Sequence, residues 1–366
     1  MFPRAEIPAG PIVLREPQKS DAEAITRACS DPEIVRYIPN IPVPYTLDDA
    51  LTFIGEIAPS EWDRGGASYV IADAATGDWL GNIGLKPLDV RGVGEIGYLL
   101  APWARGRGVA SRAARALTEW AFSQGVPRVE LVAAVENVAS QRVAMAAGFQ
   151  REGVQRGVDP HRDGGRGDVV GFARLASDSG EPQRPYLPDL PGGELTDGVV
   201  RLSPITPADA EAFLEISNEP DVVRYRVPQE PFTREAALER CRLTGMRWLA
   251  GESVALGVRD AATGEFAGDI QLFNISPLLG QGMIGYGLGS RFRGRGFMTR
   301  AVNLLAEWVF TATPLHRLIA GTDPANTASH RVLERAGFTQ EAFMKALLPG
   351  PDGTRHDDIQ WVRMRG

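Results

Sequence analysis

Apolar and polar residues follow one another along this chain in an order that is run through twice. Short alternating stretches at 12–15 and 199–202 read as strands leading into helices. The helix starts are marked by Ser20-Asp21 in one case and Thr206-Pro207 in the other, the latter a capping residue with proline at the first helical position. A second helical stretch follows Thr46 or Thr233. Hairpins are expected around Thr76-Gly77-Asp78 and Thr263-Gly264-Glu265, with strands at 80–85 and 266–273 beyond them. Strands containing Gly-Tyr come next, at 95–100 and 283–288. Segments 110–124 and 299–311 space their apolar residues three and four apart, as a helix packed on a sheet does. Runs at 129–135 and 318–322 read as buried strands, and helices through 139–147 and 328–336 end at Gly148 and Gly337, where a left-handed cap belongs. A final pair of strands closes each copy, ending at 171–175 and 360–364. This order predicts an α+β architecture, a curved, mixed, mostly antiparallel sheet with flanking helices on both faces.

The landmarks keep step. Arg105-Gly106-Arg107-Gly108 returns 188 residues later as Arg293-Gly294-Arg295-Gly296, and Pro32–Tyr37, Gly97-Tyr98 and Trp120 return at the same offset as Pro220–Tyr225, Gly285-Tyr286 and Trp308. Ala147-Gly148-Phe149 pairs with Ala336-Gly337-Phe338 at 189, a slip of one residue. Such a period is far too long for a solenoid unit and points to a duplicated domain. Domains are expected at 1–176 and 198–366, with 177–197, rich in Pro and Gly, as a linker that is semi-rigid where the prolines fall.

Composition narrows the class. Apolar content of 43% and charged content of 23% over 366 residues suit a soluble globular protein. No apolar run approaches the roughly 18 to 20 residues of a spanning helix, and the first residues lack the features of a signal peptide, so a cytoplasmic protein without a membrane partner is expected. The net charge of −7 argues against nucleic acid and leans towards a cationic small molecule or peptide. Cys29 and Cys241 are not equivalent in the repeat and read as buried thiols, with neither a disulfide framework nor a zinc site indicated. His161, His316, His330 and His356 are not repeated and have no metal-ligand spacing, so no metal is expected.

Chemistry enters at the glycine-rich turns. A strand that passes through such a turn straight into a helix leaves several backbone N–H groups aimed at one point with the helix dipole behind them, an anion site suited to a pyrophosphate. Gly106, Gly108, Gly294 and Gly296 let the backbone come close, and Arg105, Arg107, Arg293 and Arg295 can add charge from the side. The Walker and G-x-G-x-x-G patterns are both absent, so neither a P-loop nor a Rossmann nucleotide site is supported.

Arg105-Gly106-Arg107-Gly108-Val109-Ala110 resembles the Q/R-x-x-G-x-G/A pyrophosphate loop of the GNAT superfamily of acetyl-CoA-dependent N-acetyltransferases. Asn137-x-x-Ser140 and Asn326-x-x-Ser329, each followed by Ala-Gly-Phe, are similar to the RimJ/RimL branch, the ribosomal-protein alanine N-acetyltransferases, as are the opening strands and the closing strands with Asp168 and Asp357. The resemblance covers nearly the whole chain apart from the linker. It implies two tandem GNAT (acyl-CoA N-acyltransferase) folds using acetyl-CoA or another short acyl-CoA. It also implies phosphate contacts at Val109 and Ala110 and at Phe297 and Met298 in the second copy, and a bulge at Leu99-Leu100 and Leu288-Gly289 that splays the strand so that its backbone holds the pantetheine arm and the thioester carbonyl. Asn137 and Asn326 would contact that arm, or cap the following helix, and Ser140 and Ser329 would lie near the sulfur.

The implied reaction is attack of a neutral amine on the thioester in a ternary complex, since no cysteine is placed for an acyl-enzyme. The Tyr acid that many relatives carry seven residues beyond the Asn is missing, Ala144 and Leu333 standing there, so Ser140 and Ser329 become candidates. Glu95 is the candidate base, or else a solvated strand-edge acid, and the second copy has Met283 in its place with Asp269 as a substitute. The N-terminal copy is therefore the preferred catalytic one. The alternatives are an acyl-CoA-binding sensor without turnover, and one active domain with a degenerate partner that shapes its acceptor site. The acceptor is expected to be an amine-bearing small molecule or a peptide or protein N-terminus, and the chain either a homodimer or a monomeric pseudo-dimer.

Overall fold

Each run of alternating residues becomes a strand of one of two eight-stranded sheets in the computed structural model, which describes residues 2–366. The chain divides into two units at Arg184 and Pro185. The first holds β1 (Ile7–Ala9), β2 (Ile12–Arg15), α1 (Ala22–Cys29), α2 (Pro32–Tyr37), α3 (Leu47–Thr52), α4 (Ala58–Asp63), β3 (Ala67–Asp73), β4 (Trp79–Leu85), β5 (Val93–Leu100), α5 (Val109–Ser123), β6 (Arg128–Ala134), α6 (Val138–Ala146), β7 (Gln150–Pro160) and β8 (Arg166–Leu175). The second holds β9 (Leu195–Thr196), β10 (Val200–Pro204), α7 (Ala210–Ser217), α8 (Pro220–Tyr225), α9 (Arg234–Arg242), α10 (Thr244–Leu249), β11 (Val254–Asp260), β12 (Phe266–Ser276), β13 (Gln281–Leu288), α11 (Phe297–Ala312), β14 (Arg317–Thr322), α12 (Thr327–Arg335), β15 (Thr339–Pro349) and β16 (Arg355–Met364).

The strand order is the same in both, β1-β2-β3-β4-β5-β6-β8-β7 and β9-β10-β11-β12-β13-β14-β16-β15. All neighbours are antiparallel except β5 with β6 and β13 with β14. That single parallel step is where α5 or α11 crosses over. Its apolar face explains the register: Val109, Ala110, Ala113, Ala114, Leu117 and Ala121 are buried along α5, at the three- and four-residue spacing of one helix face. In the second unit Met298, Ala301, Val302 and Leu305 of α11 pack with Leu272, Ile284 and Leu318 into one core. Small residues on the inner face of α5, Ala110, Ala113, Ala114 and Ala121, let that helix sit close to its sheet.

The Pro- and Gly-rich stretch is divided between the units. Gln183 donates its backbone N–H to the Met145 carbonyl at 2.8 Å in the first, whereas Leu187, Leu190 and Leu195 are buried in the core of the second. Gly148 and Gly337 take φ of +89° and +77°, the left-handed caps their position in the sequence implied. No described helix is long and apolar enough to cross a membrane.

Candidate active site

The site is made by two strands that stop pairing. β5 lies against β6 only over Val93 to Glu95, opposite Arg128 to Glu130, and β13 lies against β14 only over Gln281 to Met283, opposite Arg317 to Ile319. Beyond those points each strand runs on for five residues with its far edge unpaired, so backbone N–H and C=O groups at 96–100 and 284–288 face a slot. The expected bulge does not produce this. Gly81 to Leu85 pair with Leu100 to Ile96 in unbroken register, and Gly268 to Phe273 pair with Leu288 to Met283 likewise, so Leu99, Leu100 and Leu288 lie in regular strand, and the Gly289 N–H donates to the Ala267 carbonyl at 2.9 Å. The slot opens where a parallel pair only three residues long ends, with no extra residue inserted against the antiparallel neighbour.

At the mouth of each slot stands the glycine turn. Gly106 and Gly108 have φ of +74° and +71°, and Gly294 and Gly296 both have φ of +75°. Gly108 and Gly296 are the N-caps of α5 and α11, where neither side chain nor first-turn acid satisfies the exposed N–H groups, whereas α1 to α4 each carry an acid in the first turn. A side chain at Gly106, Gly294 or Gly296 would meet nothing within 4 Å, so open space lies directly before the turn. Uncompensated dipole, clustered amides and open space together fit a pyrophosphate. The side chains of Val109, Ala110, Phe297 and Met298 are buried, so their contribution to such a site is the backbone N–H.

The loop arginines pair with nearby carboxylates. Arg105 reaches Asp31 at 3.1 Å, Arg293 reaches Asp221 at 2.8 Å and Glu219 at 3.5 Å, and Arg295 reaches Asp260 at 2.8 Å. Burial would raise the Asp31 carboxyl, but Arg105 and the N–H groups of Ile34 and Glu33 outweigh it and hold it below the usual carboxylate range. These exposed pairs brace the turn against neighbouring elements, and each is worth only about 0 to 1 kcal/mol. The Arg107 charge bears on Asp73.

On the slot wall the two copies make the same contact. Asn137 and Asn326 cap α6 and α12, accepting the N–H of Ser140 and Ser329 at 3.0 and 3.1 Å. The cap reading of these asparagines is therefore the geometry present. It aims each serine at a tyrosine: Tyr98 Oη donates to Ser140 Oγ at 2.9 Å, and Tyr286 Oη lies 2.7 Å from Ser329 Oγ. Burial pushes both phenols up to about 12, with the serine hydrogen bond pulling the other way. Sequence reasoning used Tyr98 and Tyr286 only as landmarks of the repeat.

Glu95 is on the opposite face of β5 from Tyr98, and Lys86 Nζ lies 2.5 Å from its Oε1. Its counterpart Met283 accepts a long contact from Asn274 Nδ2 at 3.8 Å. Asp269 is 8% exposed beside Arg240 and Arg226, and burial raises its carboxyl against the pull of both cations, whereas Asn82 in its place accepts Trp79 Nε1 at 2.8 Å. Trp103 is partly exposed with the Arg27 guanidinium 3.8 Å over its ring. Asp168 and Asp357 accept the N–H of Gly157 and Ala346 at 2.8 and 2.7 Å and so fix the kinks of β7 and β15.

A carboxylate that the sequence did not single out is buried beside β14 of the second unit. Asp358 is 5% exposed, its oxygens would stand 2.9 Å from any Cβ at Gly321 of β14, and burial together with the Asp323 charge pushes it from 3.8 up to about 6. Because the folded value lies above the unfolded one, its favourable contribution is complete below about pH 4 and is lost as pH rises through 6. Asp358→Asn is therefore expected to stabilise the second unit at pH 8 by up to about 3 kcal/mol, an advantage that vanishes towards pH 4. Urea denaturation of both proteins across that range measures it, and parallel stability curves would refute the assignment.

Two units of this build, each with an anion-binding helix start beside a free strand edge, have the architecture of an acyltransferase. The chain belongs to the GNAT acetyltransferase family: the model of the acetyltransferase (GNAT) domain matches residues 12–150 and again 200–339. By that membership it is an N-acetyltransferase. It is 31% identical over 149 residues to "Probable N-acetyltransferase YjcK" of Bacillus subtilis, covering 40% of this chain and 82% of that one. It is also 31% identical over 158 residues to "Uncharacterized N-acetyltransferase YoaA" of the same organism, covering 43% and 88%. Among solved structures, Mycobacterium smegmatis RimJ in complex with CoA-disulfide aligns with a TM-score of 0.44 at 26% identity, over 50% of this chain and 90% of that one.

Proposed function

We propose that both units bind acetyl-CoA and that the chain transfers its acetyl group to a primary amine by direct attack within a ternary complex, with the N-terminal unit as the principal catalytic copy. The observation that carries this reading is the pairing, twice over, of an uncapped glycine helix start with a strand edge left unpaired beside it. Acetyl-CoA supplies an activated thioester. The N–H groups of 106–110 hold its pyrophosphate, and the free edge of β5 holds the pantetheine arm and offers one N–H to the developing oxyanion.

Glu95 takes the proton of the incoming ammonium, directly or through a water, and its pairing with Lys86 holds its carboxylate in place. Glu95 and Tyr98 alternate to opposite faces of β5, so the amine enters on one side of the thioester while the sulfur leaves on the other. Magnitudes decide what the Tyr98–Ser140 pair does. A phenol at about 12 facing a thiolate of ordinary pKa near 8.5 is unfavourable as a full proton donor by about 5 kcal/mol. The pair acts as a hydrogen-bond donor to the departing sulfur, and solvent delivers the proton. Met283 cannot take a proton, which is why the first unit is preferred.

The test is release of free thiol from acetyl-CoA by the full chain in the presence of a panel of amines at pH 8. Amine-dependent release is expected, and it should fall when Glu95→Gln is introduced. Tight CoA binding without amine-dependent release would replace this reading by that of a sensor.

A further inference from the structure

The duplication supplies an internal comparison that separates what both units need from what each has acquired. On the face of β13 opposite Tyr286, the bare Gly285 and Gly287 look onto a charged cluster. A Cβ at Gly285 would come within 3.3 Å of Gln271 Nε2, and one at Gly287 within 3.4 Å of Asp269 Oδ1. Arg240 Nη2 donates to Gln271 Oε1 at 2.7 Å and lies 3.8 Å from Asp269 Oδ2. Arg226 Nη1 donates to the Ser217 carbonyl at 3.1 Å, and its guanidinium lies 4.4 Å over the Phe232 ring. The four corresponding positions of the first unit are Ile38, Phe53, Asn82 and Gly84: Ile38 follows α2 as Arg226 follows α8, Phe53 and Arg240 are both seventh after the capping Thr46 and Thr233, and Asn82 and Gly84 face Leu99 and Gly97 as Asp269 and Gln271 face Gly287 and Gly285. One unit has a neutral wall there, the other two cations and one anion.

That cluster is incomplete as a self-contained network. Arg226 Nη2 and Arg240 Nε are buried without a hydrogen-bond partner, and the two guanidinium groups bear on each other and share the single carboxylate of Asp269. A half-buried cation left without a full partner is unfavourable unless a further anion joins it. The excess is one positive charge, which one carboxylate group cancels.

We propose that Arg226 and Arg240 bind a carboxylate of the acceptor in the C-terminal unit, so that the two units take acceptors of different charge: acidic in the second, neutral on that flank in the first. This rests on reading the Gly285–Gly287 face as the acceptor side of an acyltransferase slot. The carboxylate is either the α-carboxylate of a free amino acid or the acidic side chain of a peptide near its N-terminus.

Calorimetric titration of the full chain with succinate and with succinamide tests the site without requiring turnover. Succinate is expected to bind and succinamide not. Arg226→Gln should weaken succinate roughly tenfold to a hundredfold, the range for a charge-assisted hydrogen bond. Asp269→Asn, which installs the first unit's residue, should tighten it by removing the competing anion, an effect that a purely structural role would not give. Absence of succinate binding, or binding that Arg226→Gln leaves unchanged, overturns the proposal. Thiol release by the chain carrying Gly108→Glu then distinguishes the two sources, comparing leucine with leucinamide and Ala-Glu-Ala-amide with Ala-Gln-Ala-amide. Preference for the acid in one pair names the source. Succinate binding lost in Arg226→Gln, with no release from any of the four, upholds the carboxylate site and removes only the catalytic reading of this unit.

Discussion

Replacement of Gly108 by glutamate is expected to weaken acetyl-CoA binding at the N-terminal unit by roughly a hundredfold or more, and Gly296→Glu to do the same in the C-terminal unit. Three effects add. An L-residue at φ of +71° or +75° is strained by about 1 to 2 kcal/mol. A carboxylate at the N-cap occupies the attractive field that the helix start offers a phosphate. The phosphate hydrogen bonds it displaces, made to a charged acceptor, are worth about 1.5 to 3 kcal/mol each. The fold has room for the new side chain, because the nearest heavy atom to a Cβ at Gly108 is Ser111 Oγ at 3.9 Å and nothing lies within 4 Å at Gly296. Calorimetry of the wild type should give two sites per chain, one after either substitution and none after both. Binding lost with a single variant would assign one unit as the cofactor site and make the other structural. No binding in the wild type would sink the acetyltransferase activity proposed for the chain.

What could be read in advance was what is local. The glycines at 106, 108, 294 and 296 announce a helix start that no side chain caps, because a positive φ before an amphipathic run has few other uses. The order of strands and helices is equally local, carried by periods of two and of three to four residues. What escaped notice are contacts made across long stretches of chain. Tyr98 meets Ser140 from 42 residues away, and Arg105 meets Asp31 from 74 away. In sequence Tyr98 is one more aromatic residue in a strand, and Arg105, a candidate for the phosphate, carries no sign of Asp31 as its partner. Asp358 stands among ordinary strand residues, and only its position against Gly321 shows that its carboxyl is dry. The expected bulge failed for a related reason. Splaying can follow from where a parallel pair ends as well as from an inserted residue, and spacing along one strand does not record where its neighbour leaves it.

The repeat also changes how individual residues are weighed. Features present in both units, the glycine turns, the asparagine caps and the Tyr–Ser contacts, are the ones on which the proposed acyl transfer rests in either unit. Features present in one, Glu95 against Met283 and Arg226 against Ile38, are where the proposed acceptor binding and proton removal would differ between the units. A single unit would have offered no such division.

The Tyr98–Ser140 contact is the shared feature with the largest expected kinetic effect. In a chain whose second unit is silenced by Gly296→Glu, Ser140→Ala is expected to lower kcat roughly tenfold to a hundredfold with KM for acetyl-CoA little changed, because a hydrogen bond to a developing thiolate is worth about 1.5 to 3 kcal/mol. Asn137 accepts the backbone N–H of residue 140, so an alanine there keeps the helix cap and the loss is confined to the hydroxyl. Tyr98→Phe should be milder, since Ser140 remains while losing the donor that polarises it. The double variant should be no slower than Ser140→Ala alone, the non-additivity expected of groups that act through one bond. With the phenol at about 12, kcat should show no decline on the alkaline side up to about pH 9 that Tyr98→Phe abolishes. An alkaline limb abolished by that substitution would make Tyr98 a true proton donor, and an unchanged kcat in Ser140→Ala would move the handling of the sulfur away from this pair.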